Sequence, residues 1–203
     1  MNIDKSLSAK LKTWSPVEQF STEMIPIADY IEKTIEENEE GLTDLAHARM
    51  YKMITSDGIS WEENEDSEKI PIYNFFNNKI FGLKETLNTL VNLFNSGGRL
   101  LPVRKRIIML MGPVGGGKSS IAALLKDGLR KYTQTENGAI YAIDGCPIHE
   151  NPLNALPEEL RENLNAEYGI YTEGKLCPMC QYRLNNEFKG DFRKFNVKRI
   201  YFS

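Results

Sequence analysis

The sequence predicts an α/β fold, a parallel sheet flanked by helices behind a helical amino-terminal segment. Three consecutive features predict it. Residues 107–111, directly after Arg106, carry an unbroken apolar run, the mark of a strand buried on both faces. Directly behind it stands GPVGGGKS, residues 112–119. Residues 120–132 then set Ile121, Leu124, Leu125, Leu129 and Tyr132 on one helix face. Strand, glycine loop and helix in that order open a phosphate-binding α/β domain.

Composition narrows the class. The 203 residues are 41% hydrophobic, enough for one packed domain with a smaller appendage. No apolar run approaches the ~20 residues that cross a bilayer, and the opening MNIDKSLSAKLK has no signal-peptide character, so a cytoplasmic protein without a membrane partner is expected. A net charge of -3 argues against a nucleic-acid coat. The local basic cluster Arg99, Arg104, Lys105 and Arg106 is read as a solvated segment ahead of the strand, with contact to a nucleotide or a neighbouring subunit as the sharper alternative. Three cysteines, an odd number without a secretory signal, argue against a disulfide framework.

Along the chain, residues 1–58 are expected to form a helical amino-terminal segment. One helix covers 27–38, and a second follows from Leu42, Leu45, Ala46, Met50 and Met53, spaced at three and four. His47 on the second has no nearby catalytic partner in sequence and is taken as packed or surface-facing. Residues 59–71 crowd Glu62, Glu63, Glu65, Asp66 and Glu68 together and are expected to be a solvated linker. The P-loop domain then occupies 72–203. It opens with an aromatic stretch and a helix through Leu83, Leu87, Leu90, Val91 and Phe94, which Ser96-Gly97-Gly98 should end.

The loop fits G-x-x-x-x-G-K-[ST] at every fixed position. Gly112, Gly115, Gly116 and Gly117 let consecutive amides turn inward around an anion at a helix start, while Pro113 stiffens the loop ahead of Val114. Lys118 is expected to reach the β- and γ-phosphates of ATP, Ser119 to place its hydroxyl on Mg²⁺, and Ser120 to add a contact at the α-phosphate. Lys118 and Ser119 are therefore the candidate catalytic residues.

Other chemistry is sparser. Asp144 ends the apolar run 139–143, either as a capping residue or with a substrate or metal role. Strand candidates at 107–111, 139–143 and 197–202 number fewer than the roughly five such a domain commonly uses, so an incomplete part of a longer domain is expected. Cys146-Pro-Ile-His149 and Cys177-Pro-Met-Cys180 have the ligand spacing of a tetrahedral structural Zn²⁺ site clipping an insertion, 146–180. Packed reduced thiols and a redox Cys177/Cys180 pair are the alternatives.

The stretches FFNNKIFGLKETL, RKRIIMLMGPVGGGKSS, NGAIYAIDGCPIHENPL, EYGIY and VKRIYFS together resemble the AAA-type amino-terminal module of the PrkA family of bacterial serine protein kinases; AHARMYKMI resembles its lead-in more loosely. The resemblance implies an AAA-type ATP-binding domain serving phosphate transfer from ATP to protein serine, in stress and sporulation physiology. It places nucleotide at 112–120 and the adenine pocket at Ile80, Phe81 and Gly82. The Walker-B region and a kinase-like region would lie beyond residue 203. AAA character also implies a second class of function, ATP-driven protein remodelling or unfolding by a homo-oligomeric ring. A small-molecule kinase with Asp144 at its acceptor is a third.

Overall fold

The structure, a computed structural model, describes residues 24–36, 44–63, 67–172 and 174–201. The helical expectation for residues 1–23, together with Leu42, lies outside the described residues. In chain order the elements are β1 (Met24–Pro26), α1 (Ile27–Glu36), α2 (Ala46–Ser56), β2 (Ile59–Glu63), β3 (Lys69–Tyr73), α3 (Lys84–Gly98), α4 (Lys118–Tyr132), β4 (Ile140–Ile143), α5 (Glu158–Tyr168), α6 (Pro178–Tyr182) and β5 (Asn196–Ile200). No helix among the described residues is long and apolar enough to cross a membrane.

Two sheets form, and both are antiparallel. One has the order β1-β5-β4, the other is the β2-β3 hairpin. Val197 sits at the centre of the first, opposite Ile25 on one side and Ile143 on the other. Its burial is complete, because α1 lays Ile27 and Tyr30 against the sheet while the chain between β4 and β5 adds Leu153, Leu156, Leu164, Ile170 and Phe195. A second core joins α2, α3 and α4 through Met53, Ile54, Leu87, Leu90, Val91, Ile121 and Leu125, with Phe75 and Phe76 between them. The buried Arg49 of α2 reaches the start of β4, donating to the carbonyls of Gly138 (2.9 Å) and Ala139 (3.2 Å).

Three expectations are corrected. The parallel sheet is not formed among the described residues, and 107–111 pairs with no strand there. Ile108 and Leu110 lean on the second core, whereas Ile107, Met109 and Met111 are 92%, 73% and 82% exposed. A continuous apolar run signals two buried faces, and here only one face has a neighbour.

The acidic stretch expected as a linker carries the hairpin instead, with Ile59 opposite Tyr73 and Trp61 opposite Pro71. All of β2 is exposed. Neighbouring acids such as Glu62 and Glu63 point to opposite faces of a strand, which relieves the repulsion that their spacing in sequence suggests. Glu62 also pairs with Lys84 at the start of α3.

Finally, Ser96-Gly97-Gly98 does not stop its helix, since α3 runs through Gly98. A Cβ on Gly97 would stand 2.7 Å from the His47 ring, and one on Gly98 2.8 Å from the Ala48 Cα. These glycines let α2 and α3 approach closely, and His47 is a packing residue, its ring centroid 6.4 Å from that of Phe94. The stop is made at Leu100, with φ at +62°. Leu100 N–H donates to Gly97 O (3.1 Å) and Leu101 N–H to Ser96 O (3.3 Å), the bond pattern of a Schellman end.

Candidate phosphate-binding site

The loop between the extended segment and α4 depends on glycine conformations. Gly115 and Gly117 have φ of +81° and +77°, a region that side chains make costly. Gly116 N–H donates to Pro113 O (3.2 Å), closing the turn. Gly117 is the N-cap of α4 and has no side chain to cap it; Ile121 N–H donates to its carbonyl at 2.9 Å. The amides of Lys118, Ser119 and Ser120 belong to the first turn, where backbone donors lack intrahelical acceptors and the helix dipole is positive.

Lys118 Nζ donates to the carbonyls of Gly112 (2.9 Å) and Pro113 (2.5 Å), which holds the ammonium against the loop. Ser119 and Ser120 are exposed at the same helix start, and Val114 stands in solvent. A Cβ at Gly112 or Gly115 would meet nothing within 4 Å, so the loop is open to a ligand. Helix-start amides, one ammonium and two hydroxyls are a donor set suited to a polyphosphate with a divalent cation.

An apolar cleft of about 200 Å³ lies beside this loop. Ile80, Phe81 and Gly82 line it, as do Ile72, Tyr73, Phe76 and Leu83. Leu83 makes the junction, because its Cδ1 is 3.4 Å from where a Cβ on Gly117 would stand. Sequence reasoning missed the wall from β3 and the turn after it. The signal was present in the Tyr73-Asn-Phe-Phe76 stretch, whose aromatics continue the hairpin into the core.

The remaining candidates fall elsewhere. Asp144 follows β4 and pairs with Lys198 of β5 at 2.8 Å, and that ammonium holds its carboxyl below the usual carboxylate range. Of the basic cluster, Arg99, Lys105 and Arg106 are exposed, but Arg104 stacks on the Tyr171 ring and donates to its hydroxyl (3.1 Å). The segment ahead of the loop is thereby anchored rather than merely solvated.

Cys146, Cys177 and Cys180 come together, all buried, with their sulfurs within 4.8 Å of one another. His149 is exposed, has φ at +54°, and is not in that group. Burial pushes the Cys146 thiol up, but the Glu150 and Ile148 amides and the two neighbouring thiols outweigh it and leave the pKa below the ordinary value. Burial and the two adjacent sulfurs drive the Cys180 thiol strongly upward.

The chain is similar to "ATP-dependent protease PrkA" of Bacillus subtilis (strain 168), 47% identical over 177 residues, which are 87% of this chain and 27% of that protein. It is similar to "Serine/threonine kinase YeaG" of Escherichia coli (strain K12), 32% identical over 130 residues, 61% of this chain and 19% of that protein. A shorter relative, "Uncharacterized protein in gldA 5'region" of Geobacillus stearothermophilus, is 41% identical over 81 residues, 39% of this chain and 76% of its own length. The chain thus spans well under a third of either longer relative. No solved structure matches it. Residues 25–203, which include the glycine loop, the apolar cleft and all three cysteines, match the PrkA AAA domain, and the chain belongs to that family.

Proposed function

We propose that this chain is the nucleotide module of a PrkA-type protein, binding ATP with Mg²⁺ at residues 112–120 for ATP-dependent work on protein substrates. The observation that carries this reading is the loop itself: two glycines at positive φ lead into an open helix start, with the Lys118 ammonium held over them. Lys118 binds the β- and γ-phosphates, Ser119 holds the metal, Ser120 contacts the α-phosphate, and the amides of Gly115 to Lys118 orient the chain of phosphates. The cleft at Ile80, Phe81 and Gly82 takes the adenine. Mg²⁺, when bound, neutralises charge on the phosphate oxygens; the protein's part is positioning and electrostatic complementarity.

How the ATP is spent separates two readings. Remodelling or unfolding of proteins by an AAA-type assembly is favoured by the relative that covers 87% of this chain, named an ATP-dependent protease. Phosphate transfer to protein serine is favoured by the resemblance and by the name of the 32%-identical relative, a serine/threonine kinase. A small-molecule kinase with Asp144 at its acceptor is disfavoured, because the Asp144 carboxylate is engaged by Lys198.

Incubation of the full-length protein with γ-labelled Mg·ATP and a protein substrate distinguishes them. The first reading expects free phosphate and ATP-dependent loss or unfolding of the substrate. Label recovered on protein serine supports the second instead. Neither product, with Lys118→Ala indistinguishable from wild type, contradicts both.

A further inference from the structure

All the cysteine in this chain is gathered at one point that the nucleotide site does not use. Cys146 lies in the turn after β4, and Cys177 and Cys180 open α6, 31 residues away from Cys146 in the first case. Their three sulfurs are buried within 4.8 Å of one another. The Cys146 and Cys177 sulfurs stand 3.6 Å apart. That is far beyond the ~2.05 Å bond of a disulfide. It is close to the ~3.8 Å edge of a tetrahedron with ~2.3 Å zinc–sulfur arms.

Each half is shaped to hold a thiolate. Glu150 N–H donates to Cys146 Sγ and Cys180 N–H to Cys177 Sγ, both at 3.4 Å, and an N–H aimed at sulfur favours the anion. Cys177 is the N-cap of α6 and Pro178 its first residue, a placement that fixes the backbone where the sulfur turns inward. The buried Glu150 carboxylate ties the halves together, accepting from Cys177 N–H (2.7 Å) and from Asn154 Nδ2 (2.7 Å). Thiols filling a core as small apolar groups need neither convergence nor amide donors.

We propose that Cys146, Cys177 and Cys180 hold a structural Zn²⁺, and that His149, which is exposed outside the sulfur group in this structure, turns inward from the Cys146 turn on binding to complete it as the fourth ligand. Thiolate and imidazole donors select zinc over Mg²⁺ or Ca²⁺. Binding releases the three thiol protons to solvent and forms three Zn–S bonds and one Zn–N bond. The metal clips the long excursion between β4 and β5, whose helices are short, and so secures the return of β5 to its place between β1 and β4. This site is independent of the ATP reading, since its three cysteines belong to the first core, whereas the elements flanking the loop pack in the second.

The test is the zinc content of the full-length protein purified without chelator, followed by titration with p-hydroxymercuribenzoate in the presence of a chromogenic zinc indicator. About one zinc per chain is expected, released in step with modification of the three thiols. Cys180→Ser should lose most of the metal, and His149→Ala should give it up faster to a chelator. Substoichiometric zinc after expression in zinc-supplemented medium overturns the site. So does zinc that stays bound when all three thiols are modified, a measurement on wild type that stands even if Cys180→Ser fails to fold. Release from His149→Ala at the wild-type rate overturns the fourth ligand.

Discussion

Tyr30 is fully buried beside Tyr141, their ring centroids 5.4 Å apart, and burial raises its phenol to about pH 12. In the unfolded chain the same group ionises near ~10. Between those values the folded state holds a proton that the unfolded state has lost, so stability is fully present below pH 10 and falls as pH rises toward 12. The loss amounts to roughly 2–3 kcal/mol for the whole interval. Urea midpoints measured from pH 9 to 11 should fall, and Tyr30→Phe should flatten the fall; Tyr73 and Tyr132, also shifted up by burial, leave a residual slope. An unchanged slope in Tyr30→Phe would contradict the assignment. Candidate residues stand out in the sequence where their pattern is local. Lys118, Ser119 and the glycines are set by a contiguous motif, and the three cysteines by paired spacings. His149 shares such a spacing, yet its side chain lies outside the sulfur group, because a turn at positive φ separates chain proximity from side-chain direction.

Helices were legible at the scale of elements, since their apolar spacing is a one-dimensional record of the face they bury: the cores of α2, α3 and α4 use Met53, Leu87, Leu90, Val91, Ile121 and Leu125. The hairpin was hidden because its acidic sequence has the composition of a linker and its stability comes from backbone pairing. The end of α3 was misplaced for a related reason. A Gly-Gly pair has the same sequence whether it stops a helix or admits a neighbour, and only the His47 ring distinguishes the two. Two substitutions separate these roles. Gly97→Ala forces a Cβ into that ring and should cost about 1–3 kcal/mol. Leu100→Gly relieves a left-handed leucine and should stabilise by roughly 1 kcal/mol. Chemical denaturation of both variants reads the signs directly; a neutral Gly97→Ala would return the glycines to a capping role.

For the whole molecule, the α/β class was legible but the sheet was not. The run at 107–111 carries the apolar content of a doubly buried strand, whereas the structure gives it one apolar neighbour and leaves Ile107, Met109 and Met111 outward. Strand pairing is a long-range property, and periodicity within one segment cannot say what lies beside it. The antiparallel β1-β5-β4 sheet joins residues far apart in the chain, Ile25 with Val197 and Ile143 with Val197, and no local pattern marks those partners. The loop at 112–120 keeps its shape even so, because it rests on glycine conformations and on α4, which the second core holds. Calorimetric titration of the full-length protein with Mg·ATP, beside Lys118→Ala, tests most directly whether this loop is a nucleotide site. Saturable binding by wild type is expected, weakened at least ~10-fold in the variant, whose unfolding without nucleotide should be unchanged. Wild-type affinity retained by Lys118→Ala, or no binding by either protein, would be incompatible with it.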